Sequence, residues 1–520
     1  MSECVLGIDL GTSAVKALLV DERGHVRGVG SAEYPVRHPK PGYAEQDPDE
    51  WWAATGRAVR QATGWSPAEI DIVGIGLTGQ MHGTVLLGES EQVLAPAIIW
   101  ADGRAWRQAR ELTERIGPGR LIEIAGSPVA TGFQAATILW LEQERGSLWW
   151  RARKVLTPTD ELRRRLTGEI VTDPGDGSGT LLLDVRWRTW SPDLMRAVGV
   201  DQQRLPKVQP AASVAGELTE RAAETLGLRA GIPVATGTAD APAGLLGAGI
   251  VEPTTMLLSI STGAQAMIPA TMVRPDPGGR THTFCAALEP SAHHPGWYQM
   301  GATLAAGMAM RWLRDEMLHL VGPDAYDRMT GWAAESPVGA SGLLFLPYLA
   351  GERSPHMDAR LRGALLGLAA HHERGDVVRA VMEGVVLACY DAFAVLREQG
   401  AAPRQIVMAG GGARSPLWRQ IVADIFGLPV FALATADQAA MGAAALAFAG
   451  SRGMDPASLA HDWAAYGPPL SPDRARHQRY GELFALFREA HDATAALSHK
   501  LVEFAEPPRE SVQATRPRRT

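Results

Sequence analysis

Long hydrophobic runs are absent from this sequence of 520 residues, in which no apolar stretch reaches the roughly 18 residues that a membrane-spanning helix needs. The first residues, MSECVLGIDLG, lack the charged start and the cleavage site of a signal peptide. An excess of positive charge is also missing, since the net charge is −7, and this argues against a general nucleic-acid-binding protein. We therefore expect neither a membrane nor a nucleic acid among its partners.

Cysteine is rare, with only Cys4, Cys285 and Cys389 in the whole sequence. Their number is odd, they lie far apart, and their spacing matches no metal-binding pattern. This usage favours a reducing compartment, so we predict a cytoplasmic protein. Cys389 lies within the apolar run VVLACY and is most simply a small core residue.

What the sequence does contain is typical of a globular α/β protein. Hydrophobic residues make up 46% and charged residues 21%, and the length exceeds what one hydrophobic core usually serves. VLGIDLG and VKALLVD predict two strands joined at GTS, and IDIVGIGLTG predicts a short buried strand. DPDEWWAATGRAVRQATG predicts a helix capped by Asp47, with Pro48 at its first position. Further helical patterns occur at 105–116, 134–144 and 154–166.

The second half of the sequence repeats this pattern. MLLSISTGAQAMI again predicts strand, small polar turn and strand, and RQIVMAGGG is an apolar run that ends in glycines, as does DIVGIGLTG in the first half. A chain built twice from the same unit predicts two similar lobes that face a cleft. The segment 506–520 is polar and rich in Pro and Arg, which predicts a disordered tail.

Two turns rich in glycine and hydroxyl side chains are candidates for phosphate binding. In DLGTS, the hydroxyl and amide groups of Thr12 and Ser13 could surround a phosphate, while Asp9 could hold Mg²⁺ at the strand end. A plain hairpin turn would explain the same residues. However, SISTG places Thr262 in a second such turn at the equivalent point of the second half, so the pair could grip both ends of a triphosphate. Neither turn matches the P-loop pattern.

Three further stretches allow both a functional and a structural interpretation. GGGARS follows a predicted strand and precedes a helix, where glycines let a flat ring approach the backbone, but such turns are common. GQMHG ends a strand with His82, which could line a small-molecule pocket or be a satisfied structural residue. GTADAPAG places Asp240 among small residues without a basic neighbour, either as a turn residue or as a carboxylate for proton transfer.

Seven motifs in order carry a resemblance to a known family: GIDLGTSAVK, GLTGQMHGTVLL, PAIIWADGRA, LTGE, GTADAPAG, FLPYLAGERSPH and GGGARSPLWRQIVADI. The sequence resembles the FGGY carbohydrate kinases over roughly residues 4 to 450 and over most of the remaining chain up to the tail. It is most similar to the members that phosphorylate D-xylulose. The resemblance implies a duplicated actin-like, ribonuclease-H-like α/β ATPase fold with two lobes around a catalytic cleft. It places the lobes at 4–248 and 255–450, followed by a helical extension at 451–505.

The resemblance also implies roles for individual residues. Asp240 corresponds to the catalytic base, Asp9 to the acidic residue near Mg²⁺, and Met81 and His82 to the sugar-contacting pair. The nucleotide-binding positions that it implies are Thr12, Ser13, Thr262, Gly307, Gly411 and Ser415.

The expected activity is therefore ATP-dependent phosphorylation of D-xylulose to D-xylulose 5-phosphate in pentose catabolism, with ATP and Mg²⁺ required. Another sugar or polyol, such as ribulose, gluconate or a tetritol, is the alternative substrate, and a non-catalytic sugar or nucleotide sensor is the alternative class. The partner is a small-molecule sugar, and a homodimer is possible for this family.

The sequence departs from the family pattern at three points. Ala241 follows the expected base where the xylulose-specific members usually have Asn, and a lost hydrogen bond to the sugar would cost about 0.5–1.5 kcal/mol. The second phosphate turn is STGA at 261–264 instead of GTSG, which moves a glycine but keeps Thr262. Thr137 stands where the N-terminal signature usually has Lys. The first departure bears on which sugar is bound.

Overall fold

Short apolar strands and helices alternate along the chain, and the computed structural model describes residues 2–64, 70–435 and 437–505. The strands of the first half are β1 (Ser2–Leu10), β2 (Ala14–Asp21), β3 (Val26–Glu33), β4 (Glu45–Gln46), β5 (Ile70–Gly79), β6 (Val85–Leu87), β7 (Ala97–Ile98), β8 (Lys154–Leu156), β9 (Val171–Thr172), β10 (Leu183–Asp184), β11 (Thr189–Trp190), β12 (Lys207–Val208), β13 (Val214–Glu217), β14 (Pro233–Ala235) and β15 (Thr238–Ala239). Its helices are α1 (Pro48–Thr63), α2 (Trp106–Ile116), α3 (Pro118–Ala125), α4 (Gln134–Glu144), α5 (Gly146–Arg151), α6 (Pro158–Thr167), α7 (Pro174–Gly179), α8 (Pro192–Val198), α9 (Glu220–Leu226) and α10 (Asp240–Gly247).

The second half has the same alternation with longer helices. Its strands are β16 (Thr255–Ile260), β17 (Ala264–Ala270), β18 (His282–Cys285), β19 (Trp297–Thr303), β20 (Leu344–Leu346), β21 (Ala364–Leu366), β22 (Gln405–Ala409) and β23 (Val430–Ala432). Its helices are α11 (Gly307–Trp312), α12 (Ala325–Glu335), α13 (Arg374–Glu398), α14 (Pro416–Phe426), α15 (Gln438–Arg452), α16 (Pro456–Trp463) and α17 (Arg474–Ala505).

Two mixed sheets with the same strand order form the framework. In the first sheet the order is β3-β2-β1-β5-β14, with β1 antiparallel to β2 and parallel to β5. The second sheet repeats this order and these directions as β19-β17-β16-β22-β23. The repeated topology agrees with the predicted duplicated, actin-like α/β fold. It places the two hydroxyl-bearing turns, β1 to β2 and β16 to β17, at equivalent points of the two lobes.

Local sequence signals fix most element ends. The side chain of Asp47 accepts a hydrogen bond from the N–H of Asp49 and caps α1 as predicted, and Gly64 ends the helix in a left-handed conformation. The helix predicted from residue 154 begins only at Pro158, because Thr157 and Asp160 form a reciprocal capping box there. The preceding residues pair with β6 as the strand β8 instead.

Helix α15 follows the second sheet in the chain but packs on the first. It meets β1 and β5 at Gly7 and Gly76, where a Cβ atom would overlap the carbonyl oxygens of Ala440 and Ala443. The missing side chains therefore let helix and sheet backbones approach closely. This glycine seam joins the two halves of the molecule.

The sequence also led to predictions about membrane-spanning helices, the cysteines and the C-terminal tail. Among the described residues, no helix combines the length and the apolar character that crossing a membrane requires. Cys4, Cys285 and Cys389 are buried and unpaired, and Cys389 is a core residue as predicted. The predicted disordered tail, 506–520, lies outside the described residues.

Candidate functional site

Asp9 and Asp240 lie at the same end of the first sheet, on either side of β5. Asp9 is paired with Thr78 of β5, and Thr238 of β15 is paired with the same Thr78 from the other side. Asp240 follows directly as the first residue of α10. Burial in the cleft raises the pKa of Asp9 to about 7, and the negative charge of Asp240 contributes to this rise.

Asp240 has no cationic partner among the described residues. Its carboxylate accepts one hydrogen bond at 2.8 Å, from the N–H of Ala241. Burial raises the pKa of Asp240 to about 6, and this backbone bond opposes the rise. The group is thus mostly ionised at neutral pH, yet more basic than an ordinary aspartate, which suits proton abstraction.

The surroundings of Asp9 fit a hydrated cation. Its Oδ1 atom is buried and has no hydrogen-bond partner among the described residues. Lys16, opposite Asp9 on β2, is engaged by the carboxylate of Asp437. No group of three or more His, Cys, Asp or Glu side chains that could hold a metal occurs in the described part of the chain. Asp9 could therefore supply one ligand for Mg²⁺, which typically keeps several waters and takes phosphate oxygens.

The turn between β1 and β2 is held by side chains distant in the sequence. The hydroxyl of Thr12 accepts a hydrogen bond from the indole N–H of Trp100 at 2.9 Å, and its carbonyl accepts one from Gln46 at 2.6 Å. Ser13 is exposed, and its carbonyl accepts the N–H of Tyr34 at 3.1 Å. The turn is thus fixed before any ligand binds.

Four of the predicted nucleotide-binding residues line one cavity of about 510 Å³ in the second lobe. They are Thr262, Gly307, Gly411 and Ser415. The N–H of Gly307 donates to the carbonyl of Ser261 at 2.7 Å, and a Cβ atom on Gly307 would overlap that oxygen. At Gly411, by contrast, a Cβ atom would meet no described atom within 4 Å. The cavity also contains Arg311, Tyr326 and Trp418, which sequence reasoning did not identify.

His82 is held as a neutral ring with a defined tautomer. It is buried, has a φ of 72°, and stacks on Phe133 with ring centroids 3.9 Å apart. Its Nδ1 atom lies 2.6 Å from the carbonyl oxygen of Gly179, which can only accept, so Nδ1 carries the proton. Burial lowers the pKa of His82 to about 3, so its Nε2 atom is a bare acceptor at neutral pH.

Met81 is buried beside His82 and also lies against Gly179. Its Sδ atom is 3.9 Å from the hydroxyl of Tyr298 on β19, and its methyl group lies against Gly179. The structure therefore brings the predicted pair, Met81 and His82, against the second lobe.

Strand β18 of the second lobe packs against His82. The rings of His282 and Phe284 stack with centroids 5.5 Å apart, and Phe284 faces His82 at 6.1 Å. The strand is bound to the first lobe, since the N–H of Thr283 donates to the carbonyl of Gly126 at 2.8 Å. Sequence reasoning missed this contact, because nothing in the motif order connects β18 to Met81 and His82.

Most of the chain matches one family. The model of the FGGY family of carbohydrate kinases, N-terminal domain, matches residues 4–247, and that of the C-terminal domain matches residues 257–451. The xylulose kinase of Bacillus subtilis (strain 168) is 35% identical over 502 residues, which cover 96% of this chain and 99% of that protein.

Solved structures agree with this match. The xylulose kinase from Rhodospirillum rubrum is 30% identical with a TM-score of 0.88, over 95% of this chain and 100% of that one. The gluconate kinase from Lactobacillus acidophilus is 26% identical with a TM-score of 0.90, over 96% of this chain and 100% of that one.

Proposed function

The chain belongs to the FGGY family of carbohydrate kinases and is a sugar phosphotransferase, and we propose that it transfers the γ-phosphoryl group of ATP to D-xylulose, with Asp240 as the general base. The family implies ATP as the co-substrate. The product would be D-xylulose 5-phosphate, formed in the cytoplasm during pentose catabolism. The observation that supports the proposal is the carboxylate of Asp240, which has no cationic partner among the described residues and lies near enough to Asp9 for its charge to raise the pKa of Asp9.

Asp240 would accept the proton of the sugar's terminal hydroxyl while that oxygen attacks the γ-phosphorus in line. A nearby ammonium or guanidinium group would lower the basicity of Asp240, and the described residues supply none to it. Its neighbour Ala241 is small and buried, which leaves space beside the base but removes the amide expected there.

The two hairpin turns would hold the polyphosphate between the lobes. The hydroxyl and amide groups of Thr12 and Thr262 would donate to phosphate oxygens, while Gly307, Gly411 and Ser415 would contact the nucleoside. Asp9 would hold Mg²⁺, which neutralises phosphate charge when bound. Such a site works by alignment and charge stabilisation more than by covalent chemistry.

His82 would orient the sugar as a hydrogen-bond acceptor. Its Nε2 lone pair would accept a hydrogen bond from a sugar hydroxyl, because Nδ1–H is committed to Gly179. The apolar faces of Met81, Phe133 and Phe284 would cover the carbon skeleton. D-xylulose is favoured because the Bacillus subtilis relative is a xylulose kinase.

Another sugar remains the alternative substrate, supported by the gluconate kinase structure and by Ala241. The deciding experiment is an ADP-coupled assay with MgATP and D-xylulose, D-ribulose, L-ribulose or D-gluconate. We expect the highest kcat/KM for D-xylulose, and several orders of magnitude less turnover for Asp240→Ala with retained fold. A higher kcat/KM for another sugar would show that this sugar, and not D-xylulose, is the substrate. Sugar binding without ADP release would indicate a non-catalytic sugar sensor instead of a kinase.

A further inference from the structure

The C-terminal helix α17 rests on the second lobe along one of its faces. Its buried side chains are Tyr480, Phe487 and Ser498, and their spacing places them on the same side of the helix. The hydroxyl of Tyr480 donates to the carboxylate of Glu383 on α13 at 2.7 Å. This side fixes the helix to the lobe, so a row of apolar side chains on another side needs a different explanation.

An apolar stripe runs along α17 outside this buried face. Its members follow one another at steps of three or four residues and are Leu486, Ala490, Ala493, Leu497, Leu501 and Phe504. The side chains of Leu497, Leu501 and Phe504 are 55%, 52% and 88% exposed. Large apolar side chains that are exposed in a continuous row mark an interaction surface.

The two halves of the apolar stripe have different shapes. Leu486, Ala490 and Ala493 line a groove of about 450 Å³ beside the helix. Its opposite wall is the hairpin of β20 and β21, which contributes Leu344 and Leu366. The second half of the stripe lies beyond this groove, where its exposed side chains project from the helix. One helix therefore carries both a groove and a set of projecting apolar side chains.

Two copies of α17 complement each other when they run antiparallel. If a twofold axis passes between Ala490 and Ala493, Leu486 and the partner's Leu497 lie equally far from it along the helices. The projecting half of each stripe then lies against the groove of the other copy. Alanines at the crossing allow the two helices to approach closely.

The same arrangement brings opposite charges together. Glu482 lies within one residue of the level of the partner's Lys500, and Arg479 within one residue of the level of the partner's Glu503. Arg479 and Glu482 now form an exposed ion pair at 3.1 Å, and Glu503 pairs with Arg360 at 3.0 Å. Exposed pairs contribute little free energy, so these groups can exchange partners at small cost. A parallel, in-register pairing would instead place like charges side by side.

We propose that the apolar stripe of α17 is the subunit interface of a homodimer, in which the two helices cross antiparallel between Ala490 and Ala493. The occupant of the groove is a second copy of this chain, because the groove and the side chains that fill it belong to the same helix and are related by a twofold axis. Membership of the family made a homodimer possible, and the stripe gives it a surface and a direction. The proposal does not depend on which sugar is bound.

The first test measures the mass of the full chain in solution by light scattering after size exclusion, at about 20 µM protein. We expect twice the chain mass for the unchanged protein and the chain mass for Leu497→Glu. Because the twofold axis duplicates each contact, this one substitution should weaken association by about a hundredfold or more. Val321 is 84% exposed and lies outside α17, so Val321→Glu is the matched control and should stay dimeric. Circular dichroism checks that each variant is folded.

The second test reverses charges to examine the antiparallel direction. Glu482→Lys and Lys500→Glu each place like charges at the same level, and each should weaken association by about fivefold or more at low salt. The double variant restores opposite charges across the interface and should regain most of the affinity. Sedimentation velocity over a concentration series gives the dissociation constants.

Other results would overturn the proposal. A monomeric unchanged protein, or a Leu497→Glu variant that remains dimeric, would show that the stripe does not join two copies. If the unchanged protein is monomeric and Leu497→Glu melts at a lower temperature at every protein concentration, the chain itself covers the stripe. A double charge variant as weak as the single variants would rule out the antiparallel crossing.

Discussion

Thr238 donates a hydrogen bond to the carboxylate of Asp173 over 2.6 Å, two residues before Asp240. Asp173 caps the N-terminus of α7, a helix of 6 residues whose last carbonyl, at Gly179, binds His82. One short helix therefore connects the backbone that carries the proposed base with the ring that we propose contacts the sugar. Its position relative to both groups sets their separation.

Removing this connection should misplace Asp240 without unfolding the protein. For Thr238→Val we expect kcat/KM to fall by about tenfold or more, because a misaligned base loses transition-state stabilisation. Thr238→Ser keeps the hydroxyl and is the matched control, expected within about threefold of the unchanged protein. The measurement is a kcat/KM profile against pH. A structural role alone would lower the melting temperature of Thr238→Val and leave the shape of its profile unchanged.

The pH dependence of catalysis should report the titration of Asp240. Burial raises the pKa of Asp240 to about 6, and only the ionised form can accept a proton. We expect kcat/KM to decrease about tenfold per pH unit below this value and to be level above it, up to about pH 8. Initial rates at low sugar concentration in constant-ionic-strength buffers measure this. An acidic limb centred near the ordinary value of an aspartate would contradict the assignment.

The ionised pair Asp9 and Asp240 should lower the free energy of unfolding at neutral pH. The pKa of Asp9 is raised to about 7 in the folded protein, so the folded state binds this proton more tightly than the unfolded chain does. The resulting stabilisation is present below the unfolded pKa near 4 and is lost as the pH rises through about 7. Asp9→Asn should therefore melt about 2 °C or more above the unchanged protein at pH 8.

At about pH 3 the difference between the melting temperatures of Asp9→Asn and the unchanged protein should vanish, because Asp9 is then protonated in the folded state and largely so in the unfolded chain. Differential scanning fluorimetry across this pH range gives the melting temperatures of both proteins as a function of pH. A melting difference that is constant with pH would show that Asp9 is not desolvated.

The role of His82 predicts an absence of histidine titration. Because burial lowers the pKa of His82 to about 3, sugar KM should not change between about pH 5 and 8 through this group. His82→Phe keeps the stack on Phe133 but removes the acceptor, so sugar KM should rise by about tenfold with KM for ATP unchanged. A KM that follows a group titrating near pH 6.5 in the unchanged protein, and not in the variant, would refute the lowered pKa of His82.

Two glycines of the proposed nucleotide cavity should respond differently to the same substitution. Gly307→Ala places a methyl group on the carbonyl oxygen of Ser261, so both stability and ATP affinity should fall. Gly411→Ala points the methyl group into open space within the cavity. Its melting temperature should change little, whereas KM for ATP should rise several-fold if the nucleoside lies there. An unchanged KM for ATP in Gly411→Ala would remove Gly411 from the proposed site.

The sequence allowed the hairpin turns, the repeat and the family to be predicted, because these depend on local patterns and on motif order. Thr12 and Thr262 lie in equivalent hairpin turns, and the glycines of the cavity in the second lobe lie within recognisable motifs. The helix α7 could not be foreseen, since PGDGSG is typical of a loop and becomes helical through its Asp173 cap and its burial.

The contact of the second lobe with His82 could not be predicted for a different reason. His282 and Phe284 lie on a strand of 4 residues, about 200 positions after His82, and the docking of β18 on Gly126 brings them together. Contacts between lobes leave no periodic signal.

The glycine seam between α15 and the first sheet has a mechanical consequence. At Gly7 and Gly76 the helix meets the strands through main-chain atoms, and the apolar side chains of Val5, Leu18 and Phe448 belong to the core around this crossing. Even a methyl group at either glycine would overlap a carbonyl oxygen and force helix and sheet apart. The two halves are thus joined at a spacing that only glycine permits.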